Sequence, residues 1–155
     1  MRIKLTIIIS VIIFFLNTGC GFKVVNQSGL INFKIENILT SGDNRISYII
    51  KNKLLPYNKS DGTNLITLEI DLSKNKFIKE KNINNETTKI EISINAFVQY
   101  RSNENGEFRI SKRGAYNVAD KYSQTLTNEK KLIRSLSENI AEKIIEELIQ
   151  RTDDT

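Results

Sequence analysis

Between positions 90 and 100 the chain alternates: Ile90, Ile92, Ile94, Ala96, Val98 and Tyr100 occupy even positions, while Glu91, Ser93, Asn95 and Gln99 occupy odd ones. Successive side chains of an extended strand point to opposite faces, so this period of two predicts a strand with one covered and one wet face. Earlier in the chain, Ile31, Phe33 and Ile35 alternate with Asn32, Lys34 and Glu36, and Ile66, Leu68, Ile70 and Leu72 alternate with Thr67, Glu69, Asp71 and Ser73. Both read as strands of the same kind. Phe77 and Ile78 fall after a break in phase near Lys74-Asn75, which predicts either a bulge or a strand running past the core.

Two segments carry a helical period instead. Ser41-Gly42-Asp43-Asn44 offers capping residues ahead of Ile46, Ile49, Ile50 and Leu54, and Pro56 ends that helix because it cannot donate to the helical ladder. Near the C-terminus, Leu132, Leu136, Ile140, Ile144 and Leu148 recur every four residues with Ile133, Ala141, Ile145 and Ile149 beside them, while Glu138, Lys143 and Glu146 face away. Thr127 or Asn128 is the expected cap of this helix, with Glu129 in its first turn. Between the helices, Asn103-Glu104-Asn105-Gly106 is a turn signal, and the strand after it starts with Phe108 and Ile110. It is expected to continue through Tyr116, Val118 and Tyr122, with an irregularity at Gly114. The order is β-α-β-β-β-α. The apolar stripes are all buried if two helices pack on one face of a four-stranded, mainly antiparallel sheet, an α+β fold.

The N-terminus has a different character. Arg2 and Lys4 precede an apolar run of about twelve residues from Leu5 to Leu16, and Asn17-Thr18-Gly19-Cys20 closes it. This is the three-part layout of a secretory signal, and the run is well short of the roughly 20 residues that span a bilayer. Gly19 before the only cysteine resembles the bacterial lipobox, in which the cysteine is acylated and becomes the mature N-terminus. Asn17 stands where the lipobox usually has leucine, and Leu16 sits one place earlier. A single thiol makes no intramolecular disulfide, which leaves acylation as the economical use of Cys20. The chain therefore divides into a signal peptide at 1–19, a lipid anchor and short spacer at 20–29, one α+β domain at 30–151 and a polar tail at 152–155.

Composition removes several functions. The 155 residues include no histidine, so Ser-His-Asp triads, Cys-His pairs and histidine-based zinc sites are excluded. Asp61, Glu69, Asp71, Glu86 and Glu91 have no motif around them, and the seven glycines form no phosphate-cradling loop. The expected reading is not an enzyme, and no cofactor or metal is implied. The 23 basic residues exceed the 18 acidic ones, but Arg2 and Lys4 belong to the signal and the rest are spread through a sequence crowded with Lys, Asn and Ile. That mild excess does not call for nucleic acid as a partner, which an exported protein rarely meets.

Gly19-Cys20-Gly21-Phe22, with an aromatic two residues after the cysteine, resembles the start of the lipopolysaccharide-assembly lipoproteins of the Gram-negative outer membrane, the LptE family. Residues 90–100 are similar to that family's long central strand. Ala115-Tyr116-Asn117-Val118 followed by Tyr122-Ser123 resembles its last strand, and Asn128-Glu129 leading into Ile140-Ala141-Glu142-Lys143-Ile144 and Leu148 resembles its closing helix. Lys23-Val24 replaces the arginine or histidine that often follows the aromatic in the family. The resemblance implies a non-catalytic plug in the lumen of the lipopolysaccharide translocon barrel (LptD), which helps that barrel assemble and touches lipopolysaccharide in transit. It further implies an outer-membrane, periplasm-facing address, anchored in the membrane through N-terminal acyl chains. Lys112-Arg113 lies close to a basic strand position implicated in the family, and Lys79-Glu80-Lys81 is a second candidate for lipid phosphates. For both, the competing reading is a solvated strand edge.

Two other classes fit the same layout. An accessory lipoprotein of an ABC-type envelope lipid-transport system would also place a small α/β domain behind a lipobox, and it would need an apolar groove for acyl chains. A small enzyme using carboxylates or a Ser-Lys pair would need a cleft.

Overall fold

The computed structural model of this chain describes residues 33–60 and 62–153. The signal peptide, Cys20, the spacer, Ile31, Asp61 and the last two residues of the tail lie outside that range. Strand β1 spans Phe33–Gly42, helix α1 Asn44–Leu54, and a 3-10 turn Leu55–Lys59 follows it. Strands β2 (Asn64–Lys81), β3 (Thr87–Arg101) and β4 (Gly106–Asn117) come next, and helix α2 (Tyr122–Asp153) closes the chain. The four strands form one sheet in sequence order, β1 parallel to β2 and the other two pairs antiparallel. Parallel β1 and β2 need a crossover, and α1 is that crossover.

One apolar cluster joins the sheet to the helices. Ile66, Leu68, Ile70 and Leu72 of β2, Ile92, Ile94, Ala96 and Val98 of β3, and Phe108, Ile110 and Tyr116 of β4 are buried in it. Ile46, Ile50 and Leu54 meet them from α1, and Ile133, Leu136, Ile140, Ala141, Ile144, Ile145 and Leu148 from α2. The alternation in β2 and β3 and the four-residue repeat in α2 thus meet across one interface, as the α+β arrangement requires. In β1 the phase slips once. A register shift between Ile35 and Asn37 leaves Glu36 as the extra residue, so Phe33 and Ile35 are followed inward by Ile38.

The capping expectation for α1 holds. Asp43 is its N-cap, and its Oδ1 accepts from the backbone N–H of Arg45 and Ile46, each at 3.1 Å. Of the two readings of the break near Lys74-Asn75, the strand running past the core holds and the bulge does not, and two other local expectations are corrected. There is no bulge at Lys74-Asn75: β2 pairs with β3 without a break from Thr67 to Ile78, and the shift comes beyond Ile78, on either side of Glu80. The strand outruns its cover, since β1 ends opposite Leu72, and Phe77 and Ile78 are therefore exposed. Gly114 sits in unbroken register opposite Ile92. A Cβ there would lie 2.6 Å from Leu132 Cδ1, so this glycine marks the close approach of α2 to β4. Finally, β4 ends at Asn117 and Tyr122 opens α2, which starts well before Thr127. The Thr125 hydroxyl accepts from the Ala119 N–H at 2.9 Å and donates to the Ala119 carbonyl at 3.1 Å, tying the connection to the first turn. Thr127 instead bonds back to the Ser123 carbonyl inside the helix.

Candidate functional site

With both helices on one face of the sheet, the opposite face is left for solvent or a partner. Its side chains come from the odd positions of β2, β3 and β4 and line up in rows across the strands. Ser41, Asp71, Phe97 and Arg109 are successive register partners across all four strands. Ser41 donates to Asp71 Oδ1 at 2.8 Å, and the Arg109 guanidinium lies 4.8 Å from the Phe97 ring centroid. The neighbouring row is Ser73, Asn95 and Ser111. The Ser111 hydroxyl donates to Asn95 Oδ1 at 2.8 Å, and Asn95 Nδ2 donates to Ser73 at 3.4 Å. Glu69 pairs with Arg101 at 2.8 Å nearer the other end. Two shallow hollows flank Phe97. One, of about 310 Å³, runs to Leu39, Ser41 and Gln99; the other, of about 370 Å³, runs to Ser73, Asn95 and Ser111.

The central rows of this face are hydrogen-bonded among themselves around the partly exposed ring of Phe97, while Leu39, Leu65 and Phe77 stand exposed elsewhere on the same face. Among the described residues no buried side-chain nitrogen or oxygen lacks a partner, and no group of three or more His, Cys, Asp or Glu gathers as a metal site.

The basic residues proposed from sequence fall at different places. Lys112 stands opposite Ile94 in the phase of the buried Ile110 and Tyr116, so it lies half-buried on the helix side. Arg113 stands opposite Ser93 on the open face and is exposed. Adjacent strand positions point to opposite faces, so the two do not form a double cation. Lys79 is engaged with Glu91 at 3.0 Å, and Lys81 donates to Asn85 at 2.8 Å near the β2–β3 turn. Arg113 shares its face with Arg109, two open-face positions away, and Ser111 lies between them. No salt bridge involves Arg109 or Arg113 among the described residues, whereas Arg101, Lys79 and Lys89 on the same sheet are all paired with carboxylates. Arg109 was missed by the sequence reading because nothing in its local string distinguishes it; only the register, which sets it beside Phe97 and in line with Arg113, gives it a place.

On the helix side, where the core thins beyond α1, the sheet carries a polar clamp. Lys74 pairs with the capping carboxylate of Asp43 at 2.6 Å. Lys76 pairs with Glu129 of α2 at 2.8 Å, and the Tyr116 hydroxyl donates to the same carboxylate oxygen at 2.9 Å. Partial burial pushes the Glu129 carboxyl up, but the hydrogen bonds from Lys76 and Tyr116 outweigh it and hold the group below its usual value. Asp43 behaves the same way: burial opposes ionisation, and the Lys74 ammonium with the N–H groups of Ile46 and Arg45 prevails. Burial raises the Tyr116 hydroxyl, and the hydrogen bond to Glu129 raises Lys76. Above this clamp a groove of about 530 Å³ opens between the β2–β3 overhang and the first turns of α2, walled by Ile78, Ile90, Val118, Tyr122 and Leu126.

No family model matches this sequence, and no curated protein matches it. Solved structures do share its fold. Rare lipoprotein B from Shewanella oneidensis superimposes with a TM-score of 0.60 at 11% identity, covering 76% of this chain and 97% of that one. A minor lipoprotein from Acinetobacter baumannii gives a TM-score of 0.59 at 10% identity, with 79% and 94% covered. An uncharacterized lipoprotein B from Nitrosomonas europaea gives 0.59 at 14% identity, with 86% and 93% covered. At such identities the likeness is one of fold, and the fold is that of a group of bacterial lipoproteins.

Proposed function

We propose that this chain is a non-catalytic outer-membrane lipoprotein of the LptE type. It plugs the lumen of the lipopolysaccharide translocon barrel, assists the barrel's assembly and helps deliver lipopolysaccharide to the outer leaflet. The observation that carries the reading is the open sheet face. A barrel lumen is polar, so a plug needs an exterior that hydrogen-bonds and hides its apolar area. The hydrogen-bonded row of Ser73, Asn95 and Ser111 and the row of Ser41, Asp71 and Arg109 supply such an exterior at the centre of this face, with the main apolar cluster turned beneath two helices. The fold shared with rare lipoprotein B and the Gly19-Cys20 boundary point the same way. In this reading Cys20 carries the acyl chains, and Gly21 after it is not the aspartate that retains lipoproteins in the inner membrane. Arg113, together with Arg109, is the cationic pair best placed for lipopolysaccharide phosphates, because neither has a carboxylate partner to displace among the described residues. Lys112, Lys79 and Lys81 are secondary.

The apolar groove beside Ile78 and Leu126 favours one other reading, the accessory lipoprotein of an ABC-type lipid transporter, which requires a place for an acyl chain. Affinity purification from membranes decides between them. Recovery of an outer-membrane barrel, with a diacyl or triacyl mass on Cys20, supports the plug. Recovery of an inner-membrane permease supports the accessory role, and a soluble, unlipidated product refutes both.

A further inference from the structure

Among the described residues the sheet ends on two edge strands, β1 and β4. An edge strand presents unpaired backbone N–H and C=O groups to any other strand it meets, so a chain that stays single needs something to keep that edge closed. In β1 the register shift that leaves Glu36 as an extra residue interrupts the edge. β4 has no interruption. Its 12 residues, Gly106–Asn117, pair with β3 in unbroken register and contain no proline.

One side chain of β4 departs from the pattern around it. The helix-side positions are Phe108, Ile110, Lys112, Gly114 and Tyr116, of which Phe108, Ile110 and Tyr116 are buried and Gly114 lies against Leu132. Lys112 stands in this apolar row, half-buried and opposite the fully buried Ile94. It enters no salt bridge among the described residues, whereas Lys79, Lys89 and Arg101 of the same sheet are each paired with a carboxylate. An aliphatic side chain would suit the place better, and no anion there offsets the cost of holding a cation out of water. Arg109 and Arg113 differ, because they point to the open face and stay hydrated whether or not another strand lies beside them.

We propose that Lys112 is an edge guard, whose inward ammonium keeps the outer edge of β4 from pairing with the same edge of a second copy of this chain. A strand laid along β4 extends the hydrogen-bond ladder, but on the helix side it sets its own side chains beside Lys112 and strips water from the ammonium with no carboxylate to receive it. With an aliphatic residue at 112, the row from Phe108 through Ile110 becomes continuously apolar along a flat, unpaired edge, the pattern that invites edge-to-edge association. The guard depends on charge and not on its sign. That separates it from a phosphate contact, which requires a cation, and it holds whether or not the chain is a plug.

The test compares full-length lipidated wild type, Lys112→Val, Lys112→Glu and Arg113→Val in detergent by sedimentation velocity over a wide range of concentration. Wild type, Lys112→Glu and Arg113→Val should remain single copies, while Lys112→Val should associate at a concentration at least about tenfold below any at which wild type does. Lys112→Val should melt no lower than wild type, and hydrogen exchange should slow in the β4 amides as it associates. A Lys112→Val protein that stays single overturns the guard, and so does a wild type already paired through β4. Association with a lowered melting temperature, or without slower exchange in β4, overturns it as well, because the contact then comes from unfolding or from another surface. Equal association of Lys112→Glu and Lys112→Val would show that charge at this position does not hold the copies apart.

Discussion

Replacing Glu129 by Gln removes a charge from the clamp between α2, β2 and β4 while keeping the side chain's size. In the folded protein this carboxylate receives the Lys76 ammonium at 2.8 Å and the Tyr116 hydroxyl at 2.9 Å. The Glu129 side chain is 21% exposed and that of Lys76 is 46% exposed, so solvent screens the ion pair and its share is about 0.5 kcal/mol. The tyrosine bond, donated to an ionised acceptor in a half-buried site, contributes roughly another 1 kcal/mol, part of which Gln retains. The expected loss is about 1 kcal/mol at neutral pH, or roughly 4 °C in melting temperature for a domain of this size. The pH dependence identifies the cause. The Glu129 pKa is depressed on folding, so its stabilisation is complete above the unfolded value near 4.5 and is lost as the pH falls through the lower folded value. The gap between wild type and Glu129→Gln should thus be widest at neutral pH and narrow in acid. Asp43, depressed in the same direction, steepens the acid limb of both proteins equally. Urea titrations followed by circular dichroism at neutral pH and near pH 3 measure the gap. A gap of the same size at both would show that charge on Glu129 is not what stabilises the clamp.

Two further outcomes follow from the core and the backbone. Ile94 and Ile140 are fully buried between sheet and helices, so Ile94→Asp or Ile140→Asp strands a charge there at a cost of several kcal/mol, enough to leave the domain unfolded or degraded. Asn95→Asp, on the open face, keeps the acceptor for the Ser111 hydroxyl and trades the long Nδ2 donation to Ser73 for an acceptor that the Ser73 hydroxyl can turn toward, so it should melt within about 0.5 kcal/mol of wild type; equal damage at both faces would contradict the two-sided sheet. Gly42 holds φ 93° at the end of β1, and a Cβ there would collide with the Leu72 carbonyl. Gly42→Ala should accordingly cost about 2 kcal/mol or more, seen as a lowered urea midpoint, because both backbone strain and the last β1–β2 pairing are affected.

The sequence by itself determined the elements and their buried faces. A period of two in β2 and β3 and a period of four in α2 are local properties of the string, and burial of Ile94 and Ile140 in one cluster follows from them. The cap at Asp43 was equally legible, since capping depends on residues three apart. The N-terminal signal and Cys20 are also local features, although they lie outside the described residues. What only the tertiary structure decided is what depends on register between strands distant in sequence. The open-face rows that join Ser41 to Asp71, Ser73 to Asn95 and Phe97 to Arg109 come from pairings no local string encodes. The division of Lys112 from Arg113 is implicit in alternation but becomes meaningful only once the helices are seen to cover the even side. The start of α2 at Tyr122 was hidden because Tyr116, Val118 and Tyr122 share a parity that suits a strand, and the Thr125–Ala119 bonds that favour the helix form only after the chain has turned. The polar clamp and the exposed β2–β3 overhang arise for one physical reason: β2 and β3 are longer than the elements that cover them, and relative length is a property of the assembled sheet.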